Sequence, residues 1–191
     1  MLNKRELLIK KATELFAQGG YNAIGIDKIL AEVGIAKMTM YKYFPSKNDL
    51  IVEVLRERDN AFRSSLTAFV ELSDSCHEKI KAIFVWHGKW FKRRDFYGCM
   101  FINASAEFHN RKDEIHRISA EHKRHITAFI ETILVDVSPS KSRGLATQIS
   151  MLLDGAIVAA HVTGNSNAAM EAWEAAQALL ESAGKRCVAK K

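Results

Sequence analysis

Gly34-Ile35-Ala36-Lys37-Met38-Thr39-Met40-Tyr41-Lys42-Tyr43-Phe44-Pro45-Ser46-Lys47 decides how this chain is read. The run holds a sharp turn, a helix of one to two turns and the start of another helix. Gly34 supplies the turn, because glycine takes the left-handed backbone without a steric penalty. Ile35, Met40 and Phe44 point inward and close a small core. Thr39, Tyr41, Lys42 and Tyr43 stay on the outside of a helix short enough to lie across a groove. That is the working half of a helix-turn-helix.

Upstream, Leu8, Ala12, Leu15 and Phe16 recur at helical spacing, and Gly19-Gly20 ends that helix. A short second helix carries Ile29, Leu30 and Val33. Downstream, Ser46 and Asp49 form an S-x-x-D variant of the capping box, so a long helix is expected from about Lys47. Its apolar stripe is Leu50, Ile51, Val54, Leu55, Phe62, Leu66 and Phe69. Residues 1–46 thus form a three-helix unit and 47–72 a connecting helix. The remainder, 73–191, reads as helices at roughly 76–94, 99–110, 113–136, 139–163 and 167–184. Ser138-Pro139 reads as an N-cap followed by proline at the first helical position. Gly164-Asn165 and Gly184 are stop signals. Residues 185–191 read as a frayed basic tail. The expected fold class is all-α, with about nine helices.

Bulk composition agrees with that pattern. The chain has 191 residues, 48% hydrophobic and 26% charged, enough for one or two domains with a real core. Two prolines and ten glycines are too few for a turn-rich β-protein. A net charge of +6 suits a polyanionic partner without requiring one. Cys76, Cys99 and Cys187 are widely spaced, form no CxxC pair and are odd in number, so no disulfide framework is expected and the cytoplasm is the expected compartment. Met1 to Glu6 is not followed by an apolar core, so no signal peptide is read. By this reading no stretch approaches the roughly 18–20 apolar residues of a membrane span. The most apolar run, Leu152 to Val162, contains Asp154 and His161.

Residues 5–55 resemble the DNA-binding domain of the tetracycline-repressor (TetR) family of bacterial transcriptional regulators. The likeness is carried by Ala12 through Phe16, Gly20-Tyr21, Ile26, Ile29, Ala31, Gly34-Ile35, Lys37, Thr39, Tyr41, Tyr43-Phe44 and Ser46-Lys47. The stretch from Tyr41 to Lys47 is its most specific part. The resemblance implies a homodimer with one recognition helix per subunit in adjacent major grooves of a palindromic double-stranded operator. It also implies a C-terminal domain that dimerises and binds a small-molecule effector, which lowers operator affinity. No cofactor and no catalysis are implied.

Residue chemistry gives these positions roles. The hydroxyls of Thr39, Tyr41 and Tyr43 can donate to phosphate oxygens. Lys47 stands at a helix N-terminus, where N–H groups and the dipole also favour phosphate. Lys37, Met38 and Lys42 are the candidates for reading bases, lysine through guanine O6 and N7, methionine through a thymine methyl. Several positions depart from the family pattern. Ile24 replaces a usual Thr, with the Gly25 amide as substitute phosphate donor. Ala36 replaces a usual Ser, removing a cap. Met38 and Lys42 stand where a small residue and a His or aromatic are common.

The second half offers fewer anchors. Trp86, His87, Trp90 and Phe91 place aromatic bulk on one helix, and an apolar helix after Cys99 carries Asn103 and Glu107 one turn apart. Aromatics with a few polar groups are the usual lining of a small-molecule site. Trp86, Trp90, Cys99, Asn103, Glu107, His122 and Asp154 are its candidate contacts. For Asn103 and Glu107 a second reading stands beside this: they satisfy neighbouring helix ends or pair with His122 or Arg124. Cys99 follows Gly98 near a helix start with Lys92, Arg93 and Arg94 close in sequence. This supports an alternative redox- or electrophile-responsive regulator and, more remotely, a small helical enzyme with a Cys99 nucleophile. His109, His116, His122 and His125 lack a matching carboxylate or cysteine at metal-site spacing, so no metal is expected. Dimerisation is expected through residues 139–184. Leu145, Ile149, Leu152, Leu153, Ala156, Ile157, Ala159 and Ala160 cover much of one helix there. Ala168, Ala169, Ala172, Ala175 and Ala176 allow close approach on the next, with Trp173 as anchor.

Overall fold

A computed structural model describes residues 3–135 and 139–183. Among these the chain forms only helices: α1 (Lys4–Gly19), α2 (Ile26–Val33), α3 (Lys37–Tyr43), α4 (Lys47–Val70), α5 (Cys76–Phe91), α6 (Met100–Glu107), α7 (Glu114–Leu134), α8 (Ser142–Thr163) and α9 (Ala168–Ser182). The all-α class is as read from the sequence. Ser138, the stop at Gly184 and the tail 185–191 lie outside the described residues. Pro139 does not open α8. The helix begins at Ser142 after Lys141, and the Ser142 hydroxyl donates to the Pro139 carbonyl at 3.1 Å, so the proline belongs to the turn ahead of the helix.

The helices gather into two compact units. Among the described residues one comprises 3–61 and 99–122, the other 62–98, 123–135 and 139–183. This division runs across the expected 1–46 and 73–191, because α6 and the start of α7 fall in with the N-terminal helices.

In the first unit, α1 starts with a full capping box. The Asn3 side chain accepts from the Glu6 amide at 3.0 Å, and the Glu6 carboxylate accepts from the Asn3 amide at 2.9 Å. Its face of Leu8, Ala12 and Phe16 is buried with Ile29, Met40 and Phe44. Burying Met40 and Phe44 contributes about 1.5–3 kcal/mol each. Ile24, which stands where the resembled family usually has Thr, is itself buried. It lies so close to Gly19 that a Cβ there would meet its Cδ1 at 2.7 Å. α4 continues the core with Leu50, Ile51, Val54 and Leu55, and Arg56 pairs with Glu114 of α7 at 2.7 Å.

In the second unit, α5 is opened by a capping box between Ser75 and Glu78. The Ser75 hydroxyl and amide hold the Glu78 carboxyl below the usual range. α5 buries Ile80, Ile83, Phe84 and His87, and α9 packs on both α5 and α8. Phe69 is half-buried beneath Lys89, whose ammonium lies 4.3 Å from its ring centroid, and the neighbouring Val70 takes the core position expected for it. Trp173 is not an outward anchor. It is 4% exposed and packs on Phe84 and His77, with ring centroids 5.6 and 5.1 Å away. Ala168, Ala169 and Ala176 are likewise turned inward. By length and composition α8 can cross a bilayer, contrary to the sequence expectation. It behaves as a packed helix instead: Leu145, Ile149, Leu153 and Ile157 are buried, and Asp154 is paired with Lys123.

Candidate nucleic-acid interface

α2 ends where Gly34 turns left-handed (φ 69, ψ 36), with its N–H on the Leu30 carbonyl at 2.9 Å. Three residues later α3 begins. Ala36 provides no side-chain cap, and α3 is too short to persist without tertiary contacts. Its hold is Met40, fully buried, and Phe44 just beyond its end. The Arg5 guanidinium lies 5.6 Å from the Phe44 ring centroid.

With Met40 and Phe44 turned inward, the rest of α3 faces out. Lys37, Met38, Tyr41 and Lys42 sit at i, i+1, i+4 and i+5, one continuous helical face, and all four are exposed. Met38 is 73% exposed, far more than an apolar side chain with a packing role. Tyr43 is exposed at 44% and Thr39 is half-buried beside it, one turn apart. Gly25 is the exposed cap residue of α2 and makes no side-chain cap bond. Ser46 accepts from the Asp49 amide at 3.2 Å, opening α4, and Lys47 follows in its first turn. The Lys47 ammonium donates to the Asn22 carbonyl at 3.3 Å. Partial burial lowers its pKa, while the Glu107 carboxylate opposes that shift.

Sequence reasoning missed two partners on this face. Asp27, in the first turn of α2, pairs with Lys37 at 3.1 Å, and its hydrogen bond and charge raise the lysine's pKa. Asn22 supplies the carbonyl that Lys47 holds. Both contacts cross a turn, so no helical periodicity announces them.

The seven candidate effector contacts are divided between the units. Trp86, Trp90 and Asp154 belong to the second. Trp86 and Trp90 ring Phe62 at centroid distances of 4.7 and 5.4 Å, with Phe96 against Trp90 at 5.0 Å, and Trp86 donates to the Ser65 hydroxyl. Asp154 accepts from Lys123 at 2.5 Å. Cys99, Asn103, Glu107 and His122 belong to the first. Cys99 is a free, buried thiol at the start of α6. Asn103 is half-buried, and its backbone N–H donates to the Cys99 carbonyl in the first helical bond of α6. His122 is buried with Asp59, Nδ1 to Oδ1 2.7 Å, and stacks on Phe101 with centroids 3.7 Å apart. Glu107 accepts from two backbone amides, those of Tyr21 and Asn22. Three open clefts of about 400–450 Å³ in the second unit are lined by other residues. Among the described residues no group of three or more His, Cys, Asp or Glu is placed to hold a metal ion.

A short exposed helix bearing lysines and tyrosines, set on a glycine turn against a second helix, defines a helix-turn-helix DNA-binding protein. The family model for bacterial regulatory proteins of the tetR family matches residues 8–54. Residues 8–54 thus match the DNA-binding domain of the tetR-family transcriptional regulators. It is 24% identical over 156 residues to the uncharacterized HTH-type transcriptional regulator YuxN of Bacillus subtilis, covering 81% of this chain and 53% of that protein, so the match spans about half the relative's length. Its fold is similar to that of SCO4454, a TetR-family transcriptional regulator from Streptomyces coelicolor. There the TM-score is 0.88, with 26% identity, over 94% of this chain and 95% of the other. The reduced form of Escherichia coli NemR shares the fold at TM-score 0.83 and 20% identity, covering 91% and 95% of the two chains.

Proposed function

We propose that the chain is a homodimeric repressor that binds a palindromic operator in the cytoplasm and releases it when a small molecule binds. The observation that carries this reading is the outward face of α3, where Lys37, Met38, Tyr41, Lys42 and Tyr43 are exposed around a helix fastened by Met40 and Phe44. Lys37, Met38 and Lys42 read base edges. Thr39, Tyr41, Tyr43, Lys47 and the Gly25 amide hold phosphates and set the register. Residues 1–46 are the DNA-binding domain, 47–72 the connection, and 73–191 the effector and dimer domain. The effector acts through α4, a single helix from Lys47 to Val70. It can do so only by binding the two states with different affinity.

Dimerisation through 139–184 is supported by the outer face of α8. Met151, Val158 and Val162 are 67, 45 and 74% exposed, and Gly155 lies exposed between them, giving an apolar stripe at i, i+4, i+7 and i+11. A self-complementary stripe of this kind suits a two-fold interface. Aromatic bulk around Phe62, with Trp86 and Trp90, supports an apolar effector site in the second unit. The cysteine-responsive alternative rests on Cys99, which is 5% exposed and so closed to reagents in this conformation.

Selection of bound fragments from random DNA by the purified protein, at two salt concentrations, tests the reading. A palindrome with half-sites about one helical turn apart and steep salt weakening is the expected result. Absence of enrichment, with or without cell extract, would sink it.

A further inference from the structure

Glu107 is the last residue of α6, where the helix dipole disfavours a negative charge. Its position is explained by what it holds. Its two oxygens accept from successive backbone amides at the end of α1, Tyr21 N–H at 2.8 Å and Asn22 N–H at 2.6 Å. Charge-assisted bonds of this length are the strong kind. Gly20, immediately before them, has φ 78 and ψ 167, a backbone region kept to glycine, and a Cβ there would meet the Glu107 oxygen at 2.9 Å. The turn is therefore shaped around the carboxylate.

The first residue of α6 holds the same turn. The Tyr21 phenol donates to the Met100 carbonyl at 2.9 Å. Burial drives the phenol pKa far up, so the hydroxyl stays a donor. Tyr21 is gripped at its amide by one end of α6 and at its hydroxyl by the other. On the opposite side of the turn, the Asn22 carbonyl accepts from Lys47 at 3.3 Å. One peptide segment thus links the Glu107 carboxylate to the Lys47 ammonium. The Asn22 carbonyl takes one of the three donors that the Lys47 ammonium carries.

We propose that Glu107 is a positioning residue for DNA binding: by fixing the Tyr21–Asn22 turn it sets Lys47 in place to meet a backbone phosphate. This rests on the proposed DNA-binding function. It gives Glu107 a role away from the effector site, and makes any displacement of the α6 end a loss of one phosphate contact per subunit.

The test uses the full chain as wild type, E107Q, E107A, K47A and E107Q/K47A, with a short random-sequence duplex as probe. Binding is followed by fluorescence anisotropy across a salt series, and folding by thermal melting. Each phosphate contact contributes about 0.9 to the slope of log K against log salt. Expected are slopes for E107Q, E107A and K47A shallower than wild type by about one contact per subunit, and no further loss in the double variant. E107Q keeps the side chain's size and one acceptor oxygen, and decides the matter if E107A fails to fold. A wild-type slope in E107Q with normal melting, or losses in E107Q and K47A that add in full, would make Glu107 merely structural and overturn the proposal. So would an unchanged slope in K47A. Salt-independent or absent binding by the wild type would overturn the DNA-binding reading, and this proposal with it.

Discussion

α3 and α6 are nearly equal in length, and neither starts with a side-chain cap. They use their residues in opposite ways. α3 buries Met40 alone and turns its tyrosines and lysines outward. α6 buries Met100, Phe101 and Ala104 and ends on a carboxylate that clasps two foreign amides. Helices this short do not hold themselves together. Each owes its existence to what it packs on, and the comparison shows two solutions. An outward helix needs a deep apolar peg. An inward one also needs its polar groups matched, because a buried group without a partner is costly.

The peg is where the comparison breaks most easily. Met40→Ala should destabilise the first unit by about 2–5 kcal/mol. Thermal melting should fall steeply and DNA binding should disappear with it; a near-native melt would mean α3 is held by something else. For α6 the matching cut is Tyr21→Phe. It removes the phenol's bond to the Met100 carbonyl, which keeps its helical partner, and should cost about 0.5–1.5 kcal/mol by denaturant titration. An unchanged midpoint would show that the phenol bond contributes nothing net.

On the exposed side, Lys42→Ala should leave the melt unmoved yet relax base preference, with about 1–3 kcal/mol of discrimination lost at the bases it reads. An identical selected motif would remove it as a reader. Tyr43→Phe, by contrast, should weaken every duplex alike. Ala36→Ser should supply the missing cap and stabilise by about 1 kcal/mol. If the melt does not rise, the start of α3 is set by Gly34 and Met40 alone. The smallest change is expected from Asp27→Asn. Freeing Lys37 from its ion pair should raise affinity for random duplex by about twofold to fivefold, with selectivity little altered.

The same contrast explains what could be read from the sequence. α3 is governed by near neighbours: Gly34 for the turn, Met40 and Phe44 for the peg, the intervening positions for the outer face. All of this lies within one short run, and the helix periodicity exposes it. α6 is governed by Tyr21 and Asn22, some eighty residues upstream. Glu107 and Asn103, one turn apart on an apolar helix, signalled only that partners existed. Pattern could not say whether those were a ligand or a helix end, nor that α6 would join the N-terminal unit. Trp173 misled for a related reason. A large aromatic among alanines looks like an anchor, and whether it faces α5 or outward depends on the rotation of α9, which several alanine faces permit equally. Pro139, expected at the first position of α8, lies in the turn ahead of it, because proline's fixed φ suits either place.

Ile24 and Gly19 carry one more consequence. The isoleucine fills the space in which a side chain at 19 would have to stand. The two sites are therefore coupled: an alanine at 19 would have to push the end of the Ile24 side chain aside, and a shorter residue at 24 would lower that cost.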